Sequence, residues 1–597
     1  MTSHSARYVM AFNGEIYNHM DLRAALQHPT RVTESPVQAK PSIVWRGHSD
    51  TETLLAGFDA WGIQDTIERS LGMFALAVWD RETSLLTLVR DRVGEKPLYY
   101  GWQGDTFLFG SELKALRAHP SFNAAIDRGA LALMMRHSYI PTPYSIYEGI
   151  AKLQPGCLLT VSLQERVPKI TPYWSVTQAI EIAQSNAFLG SAAQAVDELQ
   201  GLLTDAVRRQ LMSDVPLGAF LSGGVDSSVI VALAQSQSSS AVKTFTIGFH
   251  ESGYNEAAYA KAVARHIGTD HTELYVTPNE AMAVIPRLPE LYDEPFSDSS
   301  QIPTFLVSQL ARERVTVSLS GDGGDELFGG YNRYQFADRL WNGLKLIPTP
   351  IRGLVAKALT NVSPATWTQM DSQFGKFFPQ QVRVSNLSDK LHKAASVLRH
   401  QTSDALYLGL VSHWTDPASL VVGGLEPPTL LNGLAPDLRG LSTVERMMAL
   451  DTMTYLPDDI LVKVDRAAMG VSLESRVPFL DHRVVEFSWR LPQSMKLNNG
   501  QTKWALRQLL YRHVPKKLID RPKMGFGVPI GDWLRGPLRG WAEALLASPR
   551  LDREGFFHSA PIRQRWEEHL SGQRNWQYAL WNVLMFQAWL EAQETSS

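Results

Sequence analysis

The stretch AFLSGGVDSSVI, residues 219–230, decides how the chain is read. An apolar strand ends in Ser-Gly-Gly and turns at once into an acid, two hydroxyls and a second apolar run. In a parallel α/β sheet, ligands gather where loops leave the carboxyl ends of the strands, and Ser222 stands at such an end. Gly223 and Gly224 let consecutive backbone N–H groups converge without side-chain obstruction. The helix expected from Asp226 adds its positive end, so the turn favours an anion. Asp226 repels that anion unless a cation intervenes. Amides for a phosphate and a carboxylate for Mg2+ fit nucleotide chemistry; the plain alternative is a glycine-containing loop with Asp226 as the helix N-cap.

A second loop, VTVSLSGDGGDELFGGY at 315–331, also ends a strand in Ser-Gly and sets glycines beside Asp322, Asp325 and Glu326. Two acidic, glycine-rich loops at strand ends predict one metal-nucleotide site. The spacing lacks the alternating oxygen ligands and closing glutamate of a calcium-binding EF-hand, and no Gly-Lys-Ser/Thr follows the glycines as in a Walker P-loop. Around these loops strand and helix alternate: a helix at 196–211, the strand PLGAFLS, a helix at 227–234, the strand KTFTIGF, a helix at 255–267, then TELYV and VTVSLS. Parallel β with crossover helices is the economical reading.

Before them, from residue 8 to about 173, short apolar or alternating runs (YVMAF, MFALAVW, LLTLVR, PLYYGW, TFLFG) with turn residues between predict an antiparallel sheet. Helices are expected at 19–26 and 51–61. Residues 176–193, rich in Ser, Ala and Gln, read as a linker. From about residue 331 the chain reads as mainly helical, and the Trp-rich run NWQYALWNVLMFQAWLEA at 575–592 is expected to pack the core.

At 597 residues the chain exceeds what one core serves, so two or more domains are expected. A net charge of -3 and a pI near 6.6 argue against nucleic acid or an acidic membrane as the main partner. The single cysteine, Cys157, excludes an intrachain disulfide and a multi-cysteine zinc site and suits a reducing compartment, so the cytoplasm is expected. No run approaches the roughly 18 apolar residues of a membrane helix, and the first residues lack the apolar core of a secretory signal, so no membrane partner is expected.

Residues 222–228, SGGVDSS, match residue for residue the SGGxDSS signature of the PP-loop ATP pyrophosphatases, which this segment resembles. Such enzymes cleave ATP between the α and β phosphates. FNGEIYNH at 12–19, SLESRVPFLDHRVVEF at 472–487 and RPKMGFGVP at 521–529 are similar to glutamine-hydrolysing asparagine synthetases, as is the order of all five motifs. The resemblance implies an α+β and α/β two-domain protein. Residues 1–175 would form an incomplete N-terminal-nucleophile αββα glutaminase unit, 176–193 the linker, and 194–591 a parallel-sheet synthetase domain with a largely helical C-terminal part.

It also implies ATP and Mg2+. The nucleotide would contact Leu221, Ser222, Gly223, Gly224, Asp226, Ser227, Ser228, Ile247, Ser320 and Gly321, with Asp226 and Asp325 as magnesium carboxylates. Lys523 matches the family's catalytic lysine. Asp322 stands where many members carry glutamate, at a site tied to intermediate formation and ammonia attack. The shorter acid leaves the acceptor open between aspartate and another carboxylate, such as a sugar acid; a degenerate, non-catalytic binding protein is the reading from another class. By analogy with the family the protein would be a homodimer.

Asn13, Gly14, Glu15 and Asp50 match the family's oxyanion and glutamine-binding positions, although Asn-Gly alone also reads as a hairpin turn. The family's glutaminase uses an N-terminal cysteine whose α-amine serves as its base. Here residues 1 and 2 are Met and Thr, NGE comes as early as residue 13 with no Arg-Gly-Pro-Asp segment before it, and interior Cys157 reads as a small buried apolar residue. The expectation is an N-terminally truncated chain, or one whose Met1 is an internal methionine, that uses free ammonia in place of glutamine.

Overall fold

The computed structural model describes residues 1–27, 43–249, 256–361, 398, 400–521 and 527–595. In the N-terminal unit the alternating runs become strands β1 (Tyr8–Ile16), β2 (Gly72–Asp80), β3 (Leu85–Arg90), β4 (Tyr99–Gln103), β5 (Thr106–Gly110), β6 (Ile150–Lys152), β7 (Cys157–Val161) and β8 (Lys169–Pro172). They form two antiparallel sheets, ordered β1-β2-β3-β7-β8 and β5-β4-β6. Ala75, Ala77, Leu88, Tyr100, Leu153 and Leu159 fill the space between the sheets. The helices His19–Gln27 and Asp50–Trp61 cover the outer face of the larger sheet through Leu22, Leu54, Leu55 and Phe58. Alternation thus buries both faces, as an αββα sandwich requires.

The C-terminal unit is built on β9 (Leu217–Phe220), β10 (Lys243–Phe249), β11 (Asp270–Val276), β12 (Val317–Leu319) and β13 (Glu474–Arg476), in the order β11-β10-β9-β12-β13 with every pair parallel. Helices Ala192–Gln210, Val225–Gln237 and Trp504–Leu510 share the apolar cluster on one face. Helices Gln301–Arg312 and Gln577–Thr595 pack on the other. Trp581 and Trp589 of the last helix are fully buried there, which is the packing role expected for the Trp-rich run. The strand β13 falls inside the stretch expected to be mainly helical. Three residues are too few to display a period of two.

The expected linker is corrected. Residues Val176–Ser185 form a helix, capped by Ser175, that buries Val176, Ala179, Ile180 and Ala183 against the helix His482–Arg490. Its apolar residues are spaced for one helix face, but most are small and are diluted by Ser and Gln. The two units also share a core. Helix Arg128–His137 of the first packs on helix Gln577–Thr595 of the second, a buried ion pair joins Lys96 to Asp465 (2.8 Å), and Arg466 Nη2 donates to the Ser111 carbonyl at 2.7 Å. No helix among the described residues is long and apolar enough to cross a membrane.

One buried group opposes folding. Lys496 is 0% exposed, its Nζ has no hydrogen-bond partner, and it lies 4.7 Å from the centre of the Trp489 ring. Burial pulls its pKa down to about 8 from the ordinary 10.5, against the weaker pull of Glu445. Between those values the unfolded chain holds more protons than the native one, so stability rises with pH across that window, and below pH 8 the whole penalty is present. A shift of this size corresponds to about 3 kcal/mol at most. Lys496→Met is therefore expected to stabilise the protein at pH 7 by about 1–3 kcal/mol, and to abolish the rise between pH 8 and 10.5, as read by urea unfolding.

Candidate active site

The parallel register of β9 and β12 sets Leu217 against Val317 and Ala219 against Leu319, so both strands release their loops at one sheet edge. Gly223 takes φ +71°, a backbone region open chiefly to glycine, and a Cβ there would lie 2.7 Å from the Ala260 nitrogen. Gly224 caps the helix Val225–Gln237 without a side-chain hydrogen bond, so its first N–H groups remain available to an anion. Ser227 braces the turn, its Oγ accepting from the Ser222 N–H at 3.2 Å and lying 3.0 Å from the Ser222 hydroxyl. The second loop presses directly against the first. A Cβ on Gly321 would stand 2.7 Å from the Ser227 nitrogen, and one on Gly324 would stand 2.5 Å from Asp226 Oδ1.

A cavity of about 730 Å3 opens above this junction. Of the expected nucleotide contacts, Leu221, Ser222, Gly223, Gly224, Asp226, Ser227, Ile247, Ser320 and Gly321 line it, together with Asp322 and Asp325. Ser228 does not; it is fully buried in the first turn of its helix, where its N–H donates to the Gly224 carbonyl at 3.2 Å. Lys523 lies outside the described residues, while Arg521 and Gly527 on either side of it border the cavity.

Asp226 and Asp325 meet at one cation, Lys503, whose Nζ contacts Asp226 and stands 2.7 Å from Asp325. Burial opposes its charge, but the two carboxylates outweigh burial and keep the ammonium protonated. Lys503 holds φ +55°, a costly conformation for a side-chain-bearing residue. Gly330 makes room for it, since a Cβ there would come within 2.0 Å of Lys503 Cε and Asp325 Oδ1. Sequence reading missed this residue. It precedes a helix in QTKWALR with no motif around it, 277 residues from Asp226. Two carboxylates converging on one point suit Mg2+ when phosphate oxygens and water complete the shell; among the described residues no group of three or more His, Cys, Asp or Glu could hold a metal by itself.

Asp322 accepts from the Ser320 hydroxyl, and burial raises its pKa from the ordinary aspartate value. Beyond it stand Lys463, Asp298 and Asp459. Lys463 Nζ pairs with Asp298 at 2.8 Å. Although burial acts to raise it, that ammonium pulls Asp298 well below the ordinary carboxylate range.

The glutamine-binding candidates gather elsewhere. Asn13, Gly14 and Glu15 on β1 line a second cavity of about 590 Å3, shared with Lys96 of their own unit and with Thr316, Glu474 and Arg476 of the other. Asn13 Nδ2 donates to Ser111 Oγ at 3.0 Å; Asp50 does not line the cavity but fixes its wall, accepting from the Ile16 N–H at 2.9 Å. Burial and the charge of Asp50 raise Glu15 to about 7, and Arg476 Nη2 stands 3.7 Å from its carboxylate. Gly14, at φ +150°, admits no Cβ, which would lie 2.1 Å from the Met73 carbonyl; in place of a hairpin turn, Asn13-Gly14 lies within a strand paired to β2. Cys157 is buried between the sheets, where desolvation pushes its thiol up to about 11.

Comparison with known proteins agrees with this geometry. Residues 198–591 match the family described as asparagine synthase, and residues 1–174 match the glutamine amidotransferase domain. A "Putative asparagine synthetase (glutamine-hydrolyzing)" of Mycobacterium tuberculosis is 34% identical over 593 residues, covering 98% of this chain and 84% of that protein. "Asparagine synthetase (glutamine-hydrolyzing) 1" of Bacillus subtilis is 30% identical over 594 residues, covering 98% and 85%. With a matched synthase region spanning most of the chain and relatives of this identity along nearly all of it, the chain belongs to the asparagine synthetase family of carbon–nitrogen ligases.

Proposed function

We propose that the protein converts aspartate to asparagine through a β-aspartyl-AMP intermediate, with residues 194–591 as the synthetase unit and 1–175 as the amidotransferase unit. The observation that carries this reading is the contact of the two Ser-Gly loops at one sheet edge, with Asp226, Asp325 and Asp322 around a single cavity. An oxygen of the acceptor carboxylate attacks the α-phosphorus of ATP, the bond to the β-phosphate oxygen breaks, and pyrophosphate leaves. The first N–H groups of the helix that follows Gly224 receive the departing phosphates, with Ser222, Ser227, Ser320 and Gly321 as further contacts and Leu221 and Ile247 against the base. Ammonia then attacks the acyl carbon, the carbon–oxygen bond to AMP breaks, and the nitrogen sheds a proton. Asp322, raised by burial, suits that proton.

Asp226 and Asp325 would hold Mg2+ together with phosphate oxygens, and the metal would neutralise charge on the triphosphate. Lys503, already the counter-cation of both carboxylates, would share them with the metal, and Lys523 is assigned the phosphate-stabilising role that its motif implies. Asn13, Gly14 and Glu15 would receive glutamine, with Asp50 holding the wall behind them through the Ile16 N–H. The only cysteine is buried and its thiol is held protonated, so in these 597 residues nitrogen comes from ammonia.

Three outcomes test the reading. ATP-pyrophosphate exchange should require a carboxylate acceptor, and asparagine should form with ammonium chloride but not with glutamine, unchanged by Cys157→Ser; identification of a different amide by mass spectrometry would redirect the acceptor. Asp322→Asn should slow product formation by about 100-fold or more. Gly321→Ala should weaken ATP binding at least about tenfold by calorimetry, because its methyl group forces the two loops apart.

A further inference from the structure

Beside the second cavity, where the two units meet, lies a small cavity of about 20 Å3, which admits one water molecule and nothing larger. Tyr17, which borders both cavities, lines it with Arg92 and Glu95 from the N-terminal unit; Gln210 and His482 line it from the C-terminal unit. Four of these residues each leave a buried polar atom with no hydrogen-bond partner in the protein: Tyr17 Oη, Arg92 Nε, Glu95 Oε2 and Gln210 Oε1. Tyr17, Arg92 and Gln210 are only 6%, 8% and 2% exposed. Buried polar groups are nearly always paired, so four unpaired ones around one small cavity point to a shared partner.

The rest of each residue is already committed. Arg92 donates from Nη1 to the Ser70 carbonyl and from Nη2 to the Glu68 carbonyl, both at 2.7 Å, which leaves its Nε–H. The Gln210 carbonyl accepts from Arg476 Nη1 at 2.9 Å, and the same guanidinium stands 5.6 Å from the centre of the Tyr17 ring. The Glu95 N–H donates to Asp91 Oδ1 at 2.9 Å. Burial, then the charge of Asp91, raises Glu95 well above its ordinary value, so its carboxyl is held neutral. Two donors, on Tyr17 and Arg92, and two acceptors, on Gln210 and Glu95, are left over. An anion would match only the donors and would face Asp91 and Asp481, which also line the cavity. A cation would match only the acceptors and would face the Arg92 guanidinium. Water accepts two hydrogen bonds and donates two.

We propose that this junction binds one water molecule, which accepts from the Tyr17 hydroxyl and Arg92 Nε, donates to Gln210 Oε1 and Glu95 Oε2, and so joins the two units. Its place gives it a task. Tyr17 directly follows β1, the strand that carries Asn13, Gly14 and Glu15, and Gln210 ends the helix Ala192–Gln210 that leads into β9 and the first loop. The bridge therefore fixes the wall of the second cavity against the synthetase sheet. Tyr17→Phe, Gln210→Met and the double variant test it by thermal unfolding, because the sign of the effect differs. With the bridge, each single substitution strands the remaining partners and should lower the melting temperature by roughly 2 °C or more. The double variant should melt no lower than the worse single one, because either change releases the same molecule. Without the bridge, each substitution deletes an unpartnered buried group and the variants melt no lower than the wild type; that result, or additive losses, overturns the inference. A crystal structure should place one water within about 3.2 Å of all four atoms, and a site with no solvent density, or density bonded to one unit only, overturns it equally.

Discussion

The side-by-side parallel pairing of β9 and β12 is the constraint on which the site depends. Because both strands run the same way in matched register, their terminal Ser-Gly pairs emerge at the same edge and at the same height. Glycine at 321 and 324 then removes the side chains that would hold the two turns apart. Once the turns touch, Asp226 and Asp325 are brought to one point, and two carboxylates at one point in a buried setting must have a cation. Lys503 supplies it, at the cost of a left-handed backbone.

The junction between the two units follows the same logic of paired buried charge. The segment 456–469 runs along it, and each acid or base on it has a distinct task. Asp458 binds Thr142 of the N-terminal unit, Lys463 stands in the cavity, Asp465 meets Lys96, and Arg466 meets Asp293 with the Ser111 carbonyl. One continuous turn of chain therefore touches both the cavity above the synthetase sheet and the body of the amidotransferase unit. On the other side of the sheet, Arg476 of β13 reaches toward Glu15, so each cavity is completed by residues from the opposite half of the molecule.

The alternation of strand and helix from 196 to 320 was legible because each element announces itself locally, by apolar period and by glycine at the turns. The two loops were legible for the same reason: their chemistry lies within seven or eight consecutive residues. What could not be read was assembled from distance. Lys503 meets Asp226 across 277 positions, Asp298 meets Lys463 across 165, and nothing near any of them marks a ligand site. The segment 176–185 escaped for a different reason, since Ala179 and Ala183 bury well but contribute little to an apolar stripe. Ser228 shows the opposite error, in which a motif residue serves the helix beneath the loop and not the cavity above it.

The most direct measurement is a crystal structure of the protein with Mg2+ and an ATP analogue whose α–β bridge cannot be cleaved. The account predicts the β- and γ-phosphates against the N–H groups at 223–227, the α-phosphate facing Asp322, and contacts to the same nucleotide from Ser320-Gly321. A nucleotide that touches only one of the two loops, or that binds outside the cavity they share, would contradict it.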